Sequence, residues 1–495
     1  MKENLIKVKK FVEKHDEIFV TILIFIMSLG YSLYVKTCVG DEVWNFQNVY
    51  KIYNGYKIYV DANVITTPIF HCIGVLFFKT FGANFLVFRL YNIIICIALF
   101  LGVYKLFKSL KIGKKKSFVF LLIVYLLENG IIGFMANYNT LAMVFVLFAM
   151  IVIINKEKIK RYELWEAILI TLIILTKQNI GIFYLIGLIL YTILNKRELK
   201  NTIKILGITG MFLLIFIVIL YFNNILEGFI SYTILGIKEF DRENRYVGKF
   251  SIYFIIIAFI NSLLILFINT RNKYGKKEEK SILNNITCFA YPILGITYPI
   301  FNIAHIRYTL ILQYVLLFYM LNLILKECKV KKYEIKNCII NILIILIILI
   351  IGYYTISSIM YAKSYFKTIL NNKYKYSDPY FGTLFSNEIE EKIDKVTEYI
   401  QKSEKNVIYI TSDAALYMIP LKQNNKVFDL LLLGNLGRDG ENGIIDKLNR
   451  LDNTTILMNK EKQCWQESDK IIDFVKNNYK NVGEIEDILI YQYKN

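Results

Sequence analysis

The strongest constraint on the fold is a series of long apolar runs separated by short charged segments. A helix of about 20 apolar residues crosses a bilayer, and eleven runs approach that length. They lie at about residues 17–38, 84–104, 117–136, 139–155, 165–176, 178–194, 202–222, 250–269, 282–300, 307–325 and 337–358. The chain is 56% hydrophobic with a mean hydropathy of +0.44, which exceeds the usage of soluble domains. The sequence therefore predicts an α-helical polytopic protein of the cell membrane with about eleven transmembrane helices.

The distribution of basic residues predicts the orientation of these helices. Lysine and arginine cluster in every second loop, around residues 105–116, 156–161, 196–204, 271–280 and 326–336, and at the N-terminus. Basic loops face the cytoplasm, so the N-terminus is predicted to be cytoplasmic, and an odd number of spans places the C-terminal segment outside. Because the net charge of +19 is divided among loops instead of forming one basic face, nucleic acid is not an expected partner.

The fifth and sixth runs leave two interpretations open. Both are short, and Thr176, Lys177, Gln178 and Asn179 lie between them. The pair is read either as two crossings or as a single element, which is one long helix or a helix with a re-entrant break. The alternation of basic loops favours two crossings, since one crossing would reverse the sign of every later loop.

Composition changes near residue 361, where charged and polar residues replace the apolar runs. This divides the chain into a transmembrane domain, 1–360, and a C-terminal domain, 361–495. Short β-rich runs at 406–410, 426–433, 454–458 and 485–493 alternate with helical patterns at 388–403, 444–451 and 468–479. Such alternation is typical of a small α/β domain, which the topology places on the extracytoplasmic side.

An acidic pair, Asp41 and Glu42, follows Gly40 directly after the first run. The spacing of the aromatic residues that follow predicts a short helix in the membrane interface. Asp41 is interpreted in two ways, as a helix cap or as a carboxylate at the water boundary of an apolar cavity. In the second case it is suited to deprotonate a hydroxyl or to hold a divalent cation such as Mg or Mn.

Four further ionisable residues lie near the outer ends of predicted spans. Glu128 lies within the third run, Lys177 between the fifth and sixth, and His305 with Arg307 between the ninth and tenth. A structural interpretation makes Glu128 an interhelical hydrogen-bond partner and the cations interfacial anchors. The functional interpretation is that the cations, predicted on the same side as Asp41, bind a phosphate.

The motifs of the first outer loop resemble those of a known superfamily. They are Gly40-Asp41-Glu42, Gly55-Tyr56, Tyr59, Asp61, Thr67-Pro68, Phe81-Gly82 and Arg89-Leu90, followed later by Asn137-Tyr138-Asn139-Thr140, Thr176 to Gly181 and His305-Ile306-Arg307-Tyr308. Together they resemble the C-type integral-membrane glycosyltransferases, which include protein O-mannosyltransferases and aminoarabinose transferases. The resemblance extends over the whole chain, with juxtamembrane helices in the first outer loop.

The resemblance implies a transferase that takes a sugar from a polyprenyl-phosphate donor to an envelope lipid, glycan or protein at the outer face. It implies that Asp41, with Glu42 beside it, is catalytic, that Lys177, His305 and Arg307 bind the donor phosphate, and that Tyr59, Asp61 and Glu128 line the cavity. Many relatives have a basic residue before the proline, where this chain has Thr67-Pro68. The alternative is a transporter or lipid flippase, although the internal repeats of many transporters are not evident.

Overall fold

A computed structural model describes residues 14–37, 40–129, 137–241, 250–271, 274–297, 303–327, 333–403, 405–421 and 431–493. Ten of the eleven apolar runs lie along a single helix over most of their described residues, whereas in the ninth run, 282–300, the α-helix ends at Ala290 and a short 3-10 helix, Pro292–Thr297, follows. These helices are α1 (Asp16–Tyr34), α4 (Phe85–Ser109), α5 (Lys114–Asn129), α6 (Tyr138–Ile154), α7 (Tyr162–Thr176), α8 (Gln178–Leu194), α9 (Leu199–Phe222), α11 (Phe250–Thr270), α12 (Lys277–Ala290), α13 (Ile303–Glu327) and α14 (Tyr333–Leu370). Residues 130–136 of the third run lie outside the described ranges.

Five helices of the described residues are long and apolar enough to cross a bilayer. They are Asp16–Tyr34, Phe85–Ser109, Lys196–Phe222, Ile252–Thr270 and His305–Lys326. Several others, including Tyr138–Ile154 and Gln178–Leu194, are apolar but shorter. The chain is thus a multi-helix membrane protein, and the total of eleven crossings stays a prediction.

Lys177 separates α7 from α8, which form an antiparallel hairpin. Its backbone is extended, with φ −153° and ψ 106°, so the helix cannot continue through it. The hydroxyl of Tyr184 on α8 donates to Glu166 on α7 over 2.6 Å. The helices approach so closely that a Cβ at Gly181 would lie 2.4 Å from Ile174. The chain here forms two helices that reverse direction at Lys177; that each of them crosses the membrane stays a prediction.

The described chain divides into two compact units. The first comprises Met1–Val35, Asn92–Phe212 and Arg245–Thr368, and the second comprises Lys36–Tyr91, Leu213–Asn244 and Ile369–Asn495. The first contains most of the long apolar helices. Its helices contact each other through close backbone approach, as where the Gly30 amide donates to Ser358 Oγ over 2.7 Å, and through buried polar pairs such as Asn261 with Gln313.

The second unit contains the segment between α1 and α4 and the C-terminal elements. The segment between α1 and α4 contains two helices, α2 (Asp41–Tyr53) and α3 (Ile69–Phe81), as expected; that they lie at the outer membrane surface stays a prediction. Further along the chain, α10 (Leu226–Ile230) continues through a π-helical turn, Ser231–Leu235, and a short helix, Gly236–Asp241. Two asparagines, Asn63 and Asn435, each donate from the side-chain amide to the other's carbonyl, over 3.0 and 3.2 Å.

Residues 387–493 form a four-stranded sheet with helices. The strands β1 (Asn406–Tyr409), β2 (Thr454–Asn459), β3 (Tyr479–Ile485) and β4 (Ile488–Tyr493) are ordered β1-β2-β4-β3. Only β1 and β2 are parallel; the other pairs are antiparallel. The helices are α15 (Asn387–Lys402), α16 (Ala415–Leu421), α17 (Gly440–Asn449) and α18 (Asp469–Asn478). The apolar core includes Ile456, Leu448 and Val475, each fully buried.

Two details of this sheet differ from the sequence-based expectation. The run predicted at 426–433 forms no strand over its described residues, where Leu432 makes a single bridge to Glu467; residues 426–430 lie outside the described ranges. Strand β3 begins at Tyr479, where a helix was expected to end. Its residues are mostly polar and exposed, so they lack the apolar alternation by which strands are recognised.

Candidate functional site

Asp41 is the first residue of α2 and is exposed. Gly40 precedes the helix, and its carbonyl accepts the Trp44 amide over 3.0 Å. The backbone carbonyl of Asp41 accepts the side-chain amide of Asn45 over 2.8 Å, which fixes the first turn. No side chain caps this helix. Asp41 is therefore a carboxylate on a fixed first turn, accessible to a substrate.

Glu42, by contrast, is buried in a salt bridge. Arg89 on α4 makes a bidentate contact with the Glu42 carboxylate. Its Nε donates to Oε1 over 2.9 Å, and one terminal guanidinium nitrogen donates to Oε2 over 3.1 Å. The same terminal nitrogen donates to Thr37 Oγ over 3.1 Å, and that hydroxyl oxygen accepts the Leu384 amide over 2.9 Å. Both side chains of the pair are at most 4% exposed. This geometry makes Glu42 an anchor that holds the first turn of α2 in place.

Tyr59 and Asp61 belong to one turn between α2 and α3. Tyr59 adopts a left-handed conformation with φ +67°, which is strained for a bulky residue. Its buried hydroxyl donates to the Thr66 carbonyl over 2.7 Å. The carboxylate of Asp61 accepts the Lys57 amide over 2.9 Å and so closes the turn. Both predicted cavity residues thus shape this loop.

The predicted phosphate-binding residues all lie in the first unit. The Lys177 ammonium is 4.8 Å from the centre of the Tyr138 ring, at the start of α6. Asn137 caps that helix, because its side chain accepts two backbone amides and Thr140 bonds back to it. Lys177 and His305 are close enough to interact electrostatically. The hairpin turn and the start of α13 thereby bring these two cationic or basic groups together.

Glu128 and Arg307 also lie in the first unit. Glu128 is 5% exposed near the end of α5, and the charge of Arg307 acts on it. The Arg307 guanidinium also lies 5.4 Å from the centre of the Tyr308 ring.

A protein-held metal site does not fit the described part of the chain. Within those ranges, no group of three or more histidine, cysteine, aspartate or glutamate side chains is arranged to hold an ion. A divalent cation normally requires several oxygen ligands, and Glu42, the carboxylate nearest to Asp41 in sequence, is already bound by Arg89. The reaction steps below therefore involve no metal ion.

Sequence reasoning missed several polar residues that are buried in the structure. Gln47 and Asn48 on α2 and His71 on α3 are at most 1% exposed. The amide and ring atoms of these three side chains have no hydrogen-bond partner among the described residues. The signal available in the sequence was the position of each one inside an apolar or aromatic segment. Glu166, inside the α7–α8 hairpin, was also missed.

Part of the chain matches a known protein family. Residues 66–222 match the family model described as dolichyl-phosphate-mannose-protein mannosyltransferase. Among curated protein sequences, none matches this chain at a significant level. The family match and the structural matches confirm the resemblance to the C-type integral-membrane glycosyltransferases.

The fold is similar along its whole length to that of ArnT from Cupriavidus metallidurans. The crystal structure of that protein bound to undecaprenyl phosphate matches with a TM-score of 0.53 and 11% identity, covering 96% of this chain and 97% of that one. The apo structure matches with a TM-score of 0.55 and 11% identity, covering 98% of each chain. At this identity the likeness shows a shared fold.

Proposed function

We propose that this protein is a glycosyltransferase that moves a sugar from a polyprenyl-phosphate donor to a hydroxyl of a cell-envelope acceptor, at the outer face of the membrane. The observation that carries the proposal is the contrast at the start of α2. Asp41 is exposed on a fixed first turn, whereas Glu42 is committed to Arg89. The solved relative bound to undecaprenyl phosphate supports the choice of lipid.

Asp41 acts as the general base in this proposal. Its carboxylate takes the proton from the acceptor hydroxyl as the oxygen attacks the anomeric carbon of the sugar. The bond between that carbon and the phosphate oxygen breaks, and the phosphate leaves with the electron pair. Glu42 has no chemical step, because its two oxygens bind Arg89; it keeps Asp41 in position.

Lys177, His305 and Arg307 bind the phosphate of the donor in this proposal. Fixed positive charges stabilise the charge that develops on a leaving phosphate. Support comes from the first unit, where Lys177 lies beside Tyr138 and interacts with His305. The chain has Thr67 where many relatives have a basic residue, so the proposal assigns the phosphate contact to these residues.

Substitution of Asp41 by asparagine tests the assignment of the base. Asp41→Asn keeps the shape of the side chain but removes the proton acceptor. General-base catalysis contributes about 10²–10⁴-fold, so we expect the kcat for transfer from undecaprenyl-phosphate-linked sugars to fall at least 100-fold. Binding of undecaprenyl phosphate should change less than threefold.

The matched control is Asp446→Asn, on the exposed side of α17, which should leave both quantities unchanged. Near wild-type turnover by Asp41→Asn in a well-folded preparation excludes Asp41 as the base. If the wild-type protein in proteoliposomes moves lipid across the bilayer and forms no glycosylated product, the protein is a flippase instead.

A further inference from the structure

One face of α2 carries polar side chains that are buried without protein partners. Gln47 and Asn48 are each 1% exposed, and Trp44 is 6% exposed. Among the described residues, the indole nitrogen of Trp44 and both side-chain polar atoms of Gln47 and of Asn48 have no hydrogen-bond partner. Buried polar groups are nearly always satisfied by protein, water or ligand. We call these three residues the amide face.

The amide face lies opposite the side of α2 that packs against α3. Phe46 contacts Phe78 on α3, with ring centres 5.5 Å apart, and a Cβ at Gly74 would lie 2.9 Å from Val49. Helical geometry puts Phe46 and Val49 on one side and Trp44, Gln47 and Asn48 on the other. Packing against α3 therefore explains the burial of Phe46 and Val49 but not the burial of the amide face.

Asp41 begins the same face. It precedes Trp44 by three residues and Asn48 by seven, and these spacings align side chains along one side of a helix. At 1.5 Å per residue, the axial distance from Asp41 to Asn48 is about 10 Å. This is the length scale of a sugar ring with its substituents. The amide face thus extends from the residue that the proposed function makes the base.

The chemistry of the face favours a neutral ligand with several hydroxyl groups. A side-chain amide offers both donors and an acceptor, and a hydroxyl likewise both donates and accepts. A phosphate, which only accepts, would leave the amide oxygens of Gln47 and Asn48 without partners. The indole of Trp44 adds an apolar surface with a single donor. A sugar ring presents both kinds of surface.

We infer that the amide face of α2 is the subsite that recognises the sugar of the donor. This inference rests on the proposed function and adds the residues that recognise the transferred group. The polar atoms are inaccessible in the present conformation, so the structure presents a closed state of the subsite. Binding requires a change that exposes the face to the sugar, whose hydroxyl groups then satisfy the amides.

Two near-isosteric substitutions, Gln47→Leu and Asn48→Leu, test the inference. Each removes both hydrogen-bonding atoms and keeps the volume. We expect the KM for an undecaprenyl-phosphate-linked hexose or pentose to rise about tenfold in each variant, the size of one lost hydrogen-bonding side chain. The affinity for undecaprenyl phosphate without sugar should stay within twofold. The melting temperature should not fall, because each variant removes buried polar atoms without partners.

Tyr374→Phe is the matched control, because the Tyr374 hydroxyl is also buried without a partner among the described residues and Tyr374 is not a residue of α2. It should raise or preserve the melting temperature without changing KM. If Gln47→Leu and Asn48→Leu behave like this control, the amide face is structural and the inference fails. Equal losses of affinity for both lipids also overturn it, since the contact would then be with the phosphate. If the wild-type protein transfers no sugar, it is the proposed function that fails.

Trp44 provides a second readout that is independent of turnover. The chain has three tryptophans, and the other two, Trp165 and Trp465, are both exposed. In the variant Trp165→Phe/Trp465→Phe, emission reports on Trp44 alone. We expect its emission to shift when the sugar-bearing lipid is added and to stay constant with undecaprenyl phosphate. Equal responses to both lipids, or none to either, contradict the inference.

Discussion

Two helices of the second unit, α2 and α15, bury their surfaces in opposite ways. In α15 the buried residues Ile393, Val396 and Ile400 form one stripe, and most of the charged residues are exposed to water. In α2 every residue from Glu42 to Lys51 is buried, whether apolar or polar. An amphipathic helix such as α15 gains stability by burying its apolar stripe while its polar side chains remain solvated. A helix that buries amides without partners loses stability, and such losses are retained where function requires the groups.

The first turns of the two helices are also stabilised in different ways. Ser386 caps α15 by accepting the Ile389 amide, and acidic residues occupy its first turn. No side chain caps α2, and its first turn is held instead by the bidentate contact of Glu42 with Arg89. Local sequence thus defines α15, while α2 depends on a residue 47 positions away.

The largest effect on stability is expected from breaking the buried pair. Glu42→Leu leaves the Arg89 guanidinium buried without a countercharge, which typically costs about 3–5 kcal/mol of unfolding free energy. Thermal unfolding in detergent measures the loss. The double variant Glu42→Leu/Arg89→Met should recover most of it. Lys402→Met in α15, which breaks the exposed pair with Glu398, should cost less than about 0.5 kcal/mol. If Glu42→Leu and Lys402→Met both lower the unfolding free energy by the same small amount, α2 does not depend on its buried salt bridge more than α15 depends on its exposed one.

A pH dependence of stability should come from His71, on the side of α3 that faces α2. Burial lowers the pKa of His71 to about 3, below the value near 6.5 of an unfolded histidine. Between these values the unfolded chain binds a proton that the folded chain does not. Stability should therefore fall as the pH drops from about 6.5 towards 3, by up to about 1.4 kcal/mol per pH unit.

His71→Leu should flatten this slope, as measured by thermal unfolding at a series of pH values. His15→Leu serves as the comparison, since His15 directly precedes α1 and is only partly buried. An unchanged slope in His71→Leu would mean that His71 is not held neutral in the fold.

The smallest effect concerns the cap of α15. Ser386→Ala removes the acceptor for the Ile389 amide, and loss of an N-cap costs about 1 kcal/mol. Ser386→Asp should restore the stability, because aspartate accepts the same bond. Since α2 has no side-chain cap, Gly40→Ser should test whether a local cap can replace part of the Arg89 contact. If Ser386→Ala leaves the melting temperature unchanged, α15 too depends on tertiary contacts.

The pattern of apolar residues was sufficient to predict the helices. It was not sufficient to predict which of the two adjacent acidic residues forms a salt bridge. Ten of the eleven apolar runs lie along single helices because apolar length is a local property, and the ninth is divided after Ala290. The break at Lys177 was visible as a polar interruption, but its geometry was not. Asp41 and Glu42 look equivalent in the sequence. Only the position of Arg89 separates an exposed carboxylate from one committed to a salt bridge.

The sequence by itself determined that this chain is a helical membrane protein, where its helices lie, and which superfamily it resembles. These properties follow from hydrophobic length, basic loops and short motifs, each readable over neighbouring residues. The tertiary structure decided the roles of individual polar residues, because hydrogen-bond partners and burial are set by residues distant in the chain. It made Glu42 an anchor, kept Asp41 accessible, and left the amides of Gln47 and Asn48 buried beside it on one helix.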